Sequence, residues 1–227
     1  MKVLVLGDGL LGGEISKQTN WDVLSRNQSG LDVNIASTYF ALTDYDVVVN
    51  CIANTDTYSI NKESHWNVNY KFVDNIIDIC NQSKTKLVQI SSDYVYAGSV
   101  DNASEVDVPV HCNNWYGYTN LLSDGLVQLR AKDYLVCRCT HKPYPFPYDA
   151  AWDDQIGNFD YVDKISSLII DLIKTGASGL YNVGTETKSM FELAKETRDV
   201  TASKTPEHVP KNQSMSIVKM KKTLNET

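Results

Sequence analysis

A glycine pattern between an apolar run and a helical pattern restricts the fold of this chain more than any other feature. The run Val3-Leu4-Val5-Leu6 is typical of a strand buried on both faces. Gly7-Asp8-Gly9-Leu10-Leu11-Gly12 follows, and a helix is predicted from residue 11 to about residue 18. The three glycines permit a tight turn, close approach of a pyrophosphate and close packing of helix on strand. We therefore expect a dinucleotide to contact the backbone of this turn, including Leu10 and Leu11, at the free N–H groups of the helix start.

Short apolar runs alternate with helical patterns along the rest of the chain. Further strands are predicted at residues 21–24, 47–52, 86–90, 134–137 and 179–184. Helices are predicted within residues 66–80, from 116 to about 131, from about 162 to 174, and from an N-cap at Ser189 through residue 196. This alternation predicts the α/β class, with a Rossmann-type, doubly wound parallel sheet, helices on both faces and right-handed crossovers.

The composition changes after residue 140. Pro143, Pro145 and Pro147 exclude a regular helix or a central strand, so a loop is expected there. We expect residues 1–140 to form the dinucleotide-binding domain and residues 141–227 a small, shortened substrate lobe with returning elements, packed as one compact unit. Aromatic side chains in or near the loop could stack on a base or sugar, or pack over the lobe: Tyr144, Phe146, Tyr148 and Trp152.

Charge and cysteine usage narrow the class of protein. The 227 residues carry a formal net charge of −7, which argues against binding to nucleic acid or an anionic membrane surface. No run is apolar enough to span a bilayer, and Asp8 interrupts the apolar start before a signal peptide could form. A cytoplasmic protein is expected, and the sequence is compatible with a homodimer. The cysteines are odd in number and lack the spacing of a metal site, so we expect buried thiols: Cys51, Cys80, Cys112, Cys137 and Cys139.

The end of the second predicted strand bears on the choice of cofactor. NAD usually meets a carboxylate at this position, which binds the ribose hydroxyls. Here the chain has Ser25 and Arg26, and a guanidinium can pair with a phosphate through two hydrogen bonds. These residues favour NADP (NADPH) over NAD, the alternative being that Arg26 is an ordinary surface arginine.

Two hydroxyl side chains are candidates for catalysis. Ser92 lies just past a predicted strand end, where ligand sites of open parallel sheets are found, and Tyr116 lies near the start of the next predicted helix. If both hydroxyls meet one carbonyl, they can polarise it and protonate the alkoxide that forms during hydride transfer.

Several stretches along nearly the whole chain form a recognisable set. They are the glycine turn and residues 50–53, 67–69, 91–96, 116–119, 154–157, 179–184 and 210–212. Together they resemble the extended short-chain dehydrogenase/reductases, most closely the dTDP-4-dehydrorhamnose reductase family. That resemblance implies reduction of the 4-keto group of a nucleotide-linked 6-deoxyhexose by NADPH or NADH. It assigns the serine role to Ser92 and the acid/base role to Tyr116, places Ala53 beside the nicotinamide, and gives Asn69 a supporting role in the catalytic centre.

The chain departs from the family pattern at position 120. The family has a lysine four residues after the tyrosine, where it holds the nicotinamide ribose and lowers the tyrosine pKa. Asn120 stands there and shares a helix face with Tyr116, but it can offer only hydrogen bonds to the ribose. No other lysine is expected to substitute, since Lys132 follows the helix and Lys142 lies beyond the next strand.

A second departure is the short segment between residues 140 and 154, where the family has a few tens more residues. Two hypotheses therefore stay open. One is an NADP-dependent reductase or epimerase of a nucleotide sugar with an atypical site. The other is an NADP-binding regulatory or scaffold protein of the same fold with little or no catalysis.

Overall fold

The computed structural model describes residues 1–107 and 114–225, apart from the side chain of Phe40. Its strands are β1 (Val3–Leu6), β2 (Asp22–Leu24), β3 (Val47–Asn50), β4 (Lys86–Ser92), β5 (Tyr134–Cys139), β6 (His141–Lys142), β7 (Ala150–Trp152), β8 (Ile156–Gly157), β9 (Asp160–Tyr161), β10 (Gly179–Asn182), β11 (Lys188–Ser189), β12 (Thr201–Ser203) and β13 (Asn212–Gln213). Six of them form one parallel sheet in the order β10-β5-β4-β3-β1-β2.

Eight α-helices and three helical turns connect these strands. The α-helices are α1 (Leu10–Thr19), α2 (Arg26–Ser29), α3 (Lys62–His65), α4 (Phe72–Ser83), α5 (Trp115–Arg130), α6 (Val162–Lys174), α7 (Met190–Lys195) and α8 (Val218–Leu224). Turns of 3-10 helix cover Ala36–Asp44 and Asp93–Tyr96, and the π-helical turn Trp66–Lys71 joins α3 to α4. In the two described ranges, none of the helices combines the length and apolar character needed to cross a membrane.

Alternating side chains of the sheet build a core on each face. Val3 and Val5 pack with α1, α6 and α8, whereas Leu4 and Leu6 point to the opposite face and pack with α4 and α5. The predicted doubly wound, Rossmann-type α/β fold is thus confirmed. Cys80, Cys137 and Cys139 are buried and Cys51 is half-buried, while Cys112 lies outside the described residues.

The strand order fixes where a ligand can bind. The chain passes from β1 to β2 on one side and then returns to β3 on the other side of β1. At such a reversal the connections leave in opposite directions, and a crevice opens at the carboxyl ends of the strands. The glycine turn follows β1 and residues 51–54 follow β3, so both lie at this crevice.

The second half of the chain adds β10 to the main sheet and builds a small lobe from short strands. β6 pairs with β9, β7 with β12, and β8 with both β11 and β13. Pro143, Pro145 and Pro147 lie in irregular chain, as predicted. Phe146 is buried with Phe159 and Tyr161. The division near residue 140 stays a prediction, because β10 returns to the sheet.

The aromatic side chains of the loop differ in their surroundings. Phe146 is 3% exposed, and Trp152 packs against the same apolar cluster, so these two stabilise the lobe. Tyr144 is 64% exposed with its ring edge against Tyr161, and Tyr148 is 63% exposed with its ring against Phe146. Packing over the lobe therefore accounts for Phe146 and Trp152.

A segment late in the chain closes this lobe. Residues 212–213 pair with β8, and the Met215 N–H donates to Asn158 Oδ1 at 2.7 Å. The Ser216 N–H donates to the Ala103 carbonyl oxygen at 2.8 Å, and Ile217 reaches the main core. The lobe thus depends on contacts between residues far apart in sequence.

Two features near the end of the chain show the strength and the weakness of local patterns. The predicted capping box is present, since the Glu192 N–H donates to the Ser189 hydroxyl at 3.1 Å and the Ser189 N–H donates to the Glu192 carboxylate at 2.7 Å. Helix α8 was not predicted. Its sequence is rich in lysine and only Met220 is buried, so it lacks a recognisable apolar face.

A buried ion pair ties α5 to the sheet. Arg138 on β5 is 2% exposed, and its Nε donates to the Asp124 carboxylate at 2.7 Å. The same guanidinium donates to the Tyr96 hydroxyl at 2.5 Å, and Tyr96 donates to Asn182 Oδ1 at 3.0 Å. One charged side chain thereby connects α5, β5, the turn after β4 and β10.

Replacing Asp124 should unfold the chain readily. Asp124→Asn leaves the Arg138 charge buried without a counter-ion, so we expect a loss of about 3–5 kcal/mol in the free energy of unfolding. Asp74→Asn is the matched control, because Asp74 pairs with the half-exposed Arg130 and its loss should change stability by less than about 1 kcal/mol. Denaturant unfolding measures both, and equal losses would contradict the special role of the buried pair.

Candidate active site

The glycine turn packs closely against β1 and leaves open space beside Gly9. Gly7 has a φ of 93°, which favours glycine, and a Cβ on Gly12 would lie 2.1 Å from the Gly7 carbonyl oxygen. A Cβ on Gly9 would meet nothing within 4 Å, so the space beside this residue is open. Gly9 is also the N-cap of α1 and provides no side-chain hydrogen bond.

These features fit a dinucleotide. The first N–H groups of α1 are left for a ligand, and the helix dipole favours an anion there. Leu11 is buried in the core, and Leu10 is 46% exposed at the helix start. Both residues lie in the first turn of α1, and contact of their backbone with a phosphate stays a prediction.

Ser25 and Arg26 have different surroundings at the end of β2. The Ser25 side chain is buried and accepts a hydrogen bond from the Gln28 N–H at 3.1 Å, so it caps the short helix α2. Arg26 is exposed, and its guanidinium makes no hydrogen bond or ion pair with another described residue. The Asn27 amide donates to Asp8 in the glycine turn at 3.5 Å, which brings the two loops together.

Asn69 fixes the loop that follows β3. Its Oδ1 accepts from the Asn54 N–H at 2.7 Å, and its Nδ2 donates to the Asn54 carbonyl oxygen at 3.0 Å. The same Nδ2 donates to the Thr119 hydroxyl at 3.1 Å. Ala53 is exposed beside this clamp, and Thr119 precedes Asn120 on α5. The buried Asn69 therefore couples the loop at the crevice to the helix that carries Tyr116.

The structure brings Ser92 and Tyr116 together. Ser92 ends β4, and its buried hydroxyl donates to Asp93 Oδ1 at 3.2 Å while accepting from the Tyr94 N–H at 3.2 Å. Tyr116 lies in the first turn of α5, which is capped by the Asn114 side chain. Its ring edge meets the Tyr94 ring, with centroids 5.4 Å apart.

The surroundings of Tyr116 oppose its ionisation. Burial raises the pKa of Tyr116 above the ordinary tyrosine value, and a hydrogen bond with Ser92 offsets this only in part. The nearby Asp93 and Cys139 raise the pKa further, because a phenolate would be repelled by their anionic forms. At neutral pH this phenol is held in its protonated form.

Asn120 lies on the Tyr116 face of α5, as predicted. Its side chain is 4% exposed, and its Nδ2 donates to the Tyr116 carbonyl oxygen at 2.9 Å. The amide thus bonds to its own helix and brings no charge to the phenol.

Three residues at this centre were missed from the sequence: Asp93, Thr140 and Lys142. Asp93 has no exposed surface and accepts hydrogen bonds from the Thr140 hydroxyl at 2.5 Å and the Gln213 amide at 3.4 Å. Burial raises the pKa of Asp93, although the hydrogen bonds from Thr140 and Ser92 and the positive charge of Lys142 oppose the rise.

Lys142 lies close enough to Asp93 for the two charges to interact, although the sequence places it beyond the next strand. Ser92 pairs with Cys139 in the β4–β5 register, so the residues just after β5 lie beside the Ser92 centre. The sequence held a signal for this proximity, because neighbouring parallel strands end at the same edge of a sheet.

In the described ranges, no three side chains of the kinds that bind metal ions lie close together.

Comparison with known proteins agrees with this arrangement. A family model described as the RmlD substrate binding domain matches residues 1–141, whereas no curated protein matches the chain. Among solved structures, dTDP-4-dehydrorhamnose reductase from Bacillus anthracis in complex with NADP is 22% identical with a TM-score of 0.82, covering 99% of this chain and 98% of that one.

Two further structures have the same fold. A hypothetical dTDP-4-dehydrorhamnose reductase from Sulfolobus tokodaii is 24% identical with a TM-score of 0.80, covering 98% and 94% of the two chains. The UDP-glucuronic acid 4-epimerase from Bacillus cereus in complex with NAD is 19% identical with a TM-score of 0.77, covering 100% and 93%. Because the family model spans more than half of the residues, this chain belongs to the RmlD substrate binding domain family.

Proposed function

We propose that this protein is an NADP-dependent reductase or epimerase of a nucleotide-linked 4-keto-6-deoxy sugar. The observation that carries the proposal is the convergence of the Ser92 hydroxyl and the Tyr116 phenol at the carboxyl edge of the sheet, next to the glycine turn. A protein that only binds a dinucleotide has no chemical need of this hydroxyl pair.

The side chains would act on the substrate carbonyl in separate roles. Bound NADPH would supply the hydride. Ser92 would donate a hydrogen bond to the carbonyl oxygen and polarise it, and Tyr116 would give its proton to the same oxygen. Asn69 would keep the β3 loop and α5 in register, so that Ala53 and Tyr116 stay at fixed positions. Asn120 would face the cofactor ribose with hydrogen bonds alone.

The choice of NADP rests on Arg26. Its exposed guanidinium has no partner among the described residues, at the position where a carboxylate would favour NAD. The Bacillus anthracis reductase has NADP bound, whereas the Bacillus cereus epimerase has NAD. A phosphate on the adenosine ribose would give Arg26 the ion pair that it lacks.

Arg26→Ala should reverse the cofactor preference. The affinity for NADPH is expected to fall about tenfold, the equivalent of about 1.4 kcal/mol, with little change for NADH. Quenching of tryptophan fluorescence on titration measures both. Lys17→Ala is the control, since its exposed side chain lies at the far end of α1. A wild-type protein that binds NADH as tightly as NADPH would contradict the assignment.

Gly12→Ala should abolish dinucleotide binding. The added Cβ would collide with the Gly7 carbonyl oxygen and push α1 away from β1. Gly125→Ala adds a methyl group to the interior of α5 where nothing lies within 4 Å, so it should keep binding and stabilise the fold by about 0.5–1 kcal/mol. Thermal unfolding with and without NADPH compares the two variants, and a Gly12→Ala protein still stabilised by NADPH would contradict the proposed cradle.

Tyr116→Phe should remove the proton donor and spare cofactor binding. We expect kcat for 4-keto sugar reduction to fall by about 100-fold or more, with Tyr134→Phe at the opposite end of β5 as an unaffected control.

The pH dependence of the rate is a further prediction. Reduction needs the protonated phenol, and the raised pKa of Tyr116 keeps the proton at alkaline pH. Tyrosine deprotonation should therefore cause no loss of rate between about pH 7 and 9.

A panel of nucleotide-linked 4-keto sugars, followed by the loss of NADPH absorbance, tests the activity itself. Turnover of none of them by a protein that binds NADPH tightly would reject the reductase and favour the regulatory or scaffold hypothesis.

A further inference from the structure

The phenol of Tyr116 lacks the charge that the reaction calls for. When its proton leaves, a phenolate remains, and every described group beside it is neutral or acidic: Ser92, Asp93, Tyr94 and Cys139. Asn120 cannot help, because its amide donates to a backbone carbonyl in the same helix. A positive charge has to come from another element.

The path of the chain after β5 brings a lysine to this centre. The Thr140 hydroxyl donates to Asp93 Oδ1, and Lys142 follows two residues later in the short strand β6. In extended chain, residues two apart point to the same side, so Lys142 faces Asp93 as Thr140 does. Pairing of Lys142 with Tyr161 in β9 holds this strand in place.

The Lys142 ammonium is held there without a partner of its own. Within the part of the chain that the structure describes, it forms no hydrogen bond and no ion pair, although it lies close enough to Asp93 for their charges to interact. Burial lowers the pKa of Lys142, and the Asp93 carboxylate opposes that shift. A half-buried cation without a direct partner contributes little to stability, so stability does not explain it.

By contrast, a lysine nearby in the lobe is fully paired. Lys188 donates to Asp160 at 2.9 Å and lies 3.5 Å from Glu196. Lys188 thus has two carboxylate partners, whereas the only carboxylate whose charge acts on Lys142 among the described residues is that of Asp93.

We propose that Lys142 supplies the positive charge at the Ser92–Tyr116 centre that Asn120 does not, and that it does so by balancing the negative charge of Asp93 beside the phenol. The proposal rests on the proposed function of Ser92 and Tyr116. Lys142 is thus a positioning residue that acts on Tyr116 through its electric field.

The proton and electron balance shows where this charge acts. Bound NADPH would supply the hydride to the carbonyl carbon and would itself be oxidised. The carbonyl π electrons would then move onto the oxygen, which would take the Tyr116 proton to give an alcohol, and the Tyr116 phenolate would regain a proton from water. Lys142 stabilises the phenolate, and without it the carboxylate of Asp93 would oppose that state.

The test removes the positive charge of Lys142 and then restores a positive charge from helix α5. Lys142→Met removes it, Lys142→Arg keeps it, and the double variant Asn120→Lys with Lys142→Met returns it from α5. Lys62→Met is the matched control, because Lys62 lies over the Trp115 ring near the start of the same helix but is exposed. If Lys142→Met does not fold, Lys142→Gln replaces it in the same comparison.

The first readout does not depend on turnover. A fluorinated tyrosine at position 116, whose phenol is more acidic than that of tyrosine, is titrated by ¹⁹F NMR in each variant. Lys142→Met should raise the pKa of this phenol by about one unit, and the double variant should bring it back. Lys142→Arg and Lys62→Met should leave it near the wild-type value.

The second readout is the pH profile of kcat for keto-sugar reduction. Lys142→Met should lower kcat about tenfold at neutral pH with unchanged affinity for NADPH, and the double variant should recover it. An unchanged phenol titration in Lys142→Met, or a double variant that recovers neither the titration nor kcat, overturns the role of Lys142. If no sugar is turned over, the proposed function fails, and the titration alone still decides whether Lys142 acts on Tyr116.

Discussion

The ion pair between Arg138 and Asp124 is almost wholly removed from water, and the geometry of the candidate site depends on it. Asp124 lies two helical turns after Tyr116 on α5, and Arg138 lies on β5 opposite Ser91. The pair therefore sets the distance between the helix that carries the phenol and the strand ends that carry the serine. Such a pair adds little net stability compared with apolar packing, but it permits very few alternative arrangements.

A second set of hydrogen bonds surrounds Asp93, whose carboxyl is fully buried at the candidate site. Asp93 is withdrawn from water beside two hydroxyl groups, and it accepts hydrogen bonds from three different elements. Each of those elements is anchored independently, by β4, by the end of β5 and by β13 pairing with β8. Because the donors cannot relax away, the carboxyl and the phenol stay close in an apolar setting, where each charge strongly affects the other.

Local patterns predicted most of the sheet and little of the lobe. The glycine turn, the apolar runs and the pattern of α6 predicted the strands and helices of the main sheet. Buried parallel strands and amphipathic helices leave strong periodic signals in the sequence. Strands of two or three residues such as β6 and β13 leave no such signal and exist only through partners far along the chain. Helix α8 was not predicted for a similar reason, since Met220 is its only buried residue and further contacts attach it to β10, far away in sequence.

The candidate site, like the fold, was predicted only in part from the sequence. Ser92, Tyr116 and Asn120 could be named from the sequence because their spacing matches a known motif, and the structure places them at one centre. Lys142 could not be found in this way, since its relation to Asp93 depends on the β4–β5 register and not on distance along the chain.

The late segment through β13 has a consequence for synthesis of the protein. Gln213 reaches Asp93, and the backbone of residues 215 and 216 bonds to Asn158 and Ala103, all of which are made long before. During translation the Rossmann sheet can form its first five strands while the carboxyl of Asp93 still lacks one of its donors. The surroundings of Asp93 are therefore completed late, after the glycine turn and the first five strands of the sheet have been synthesised.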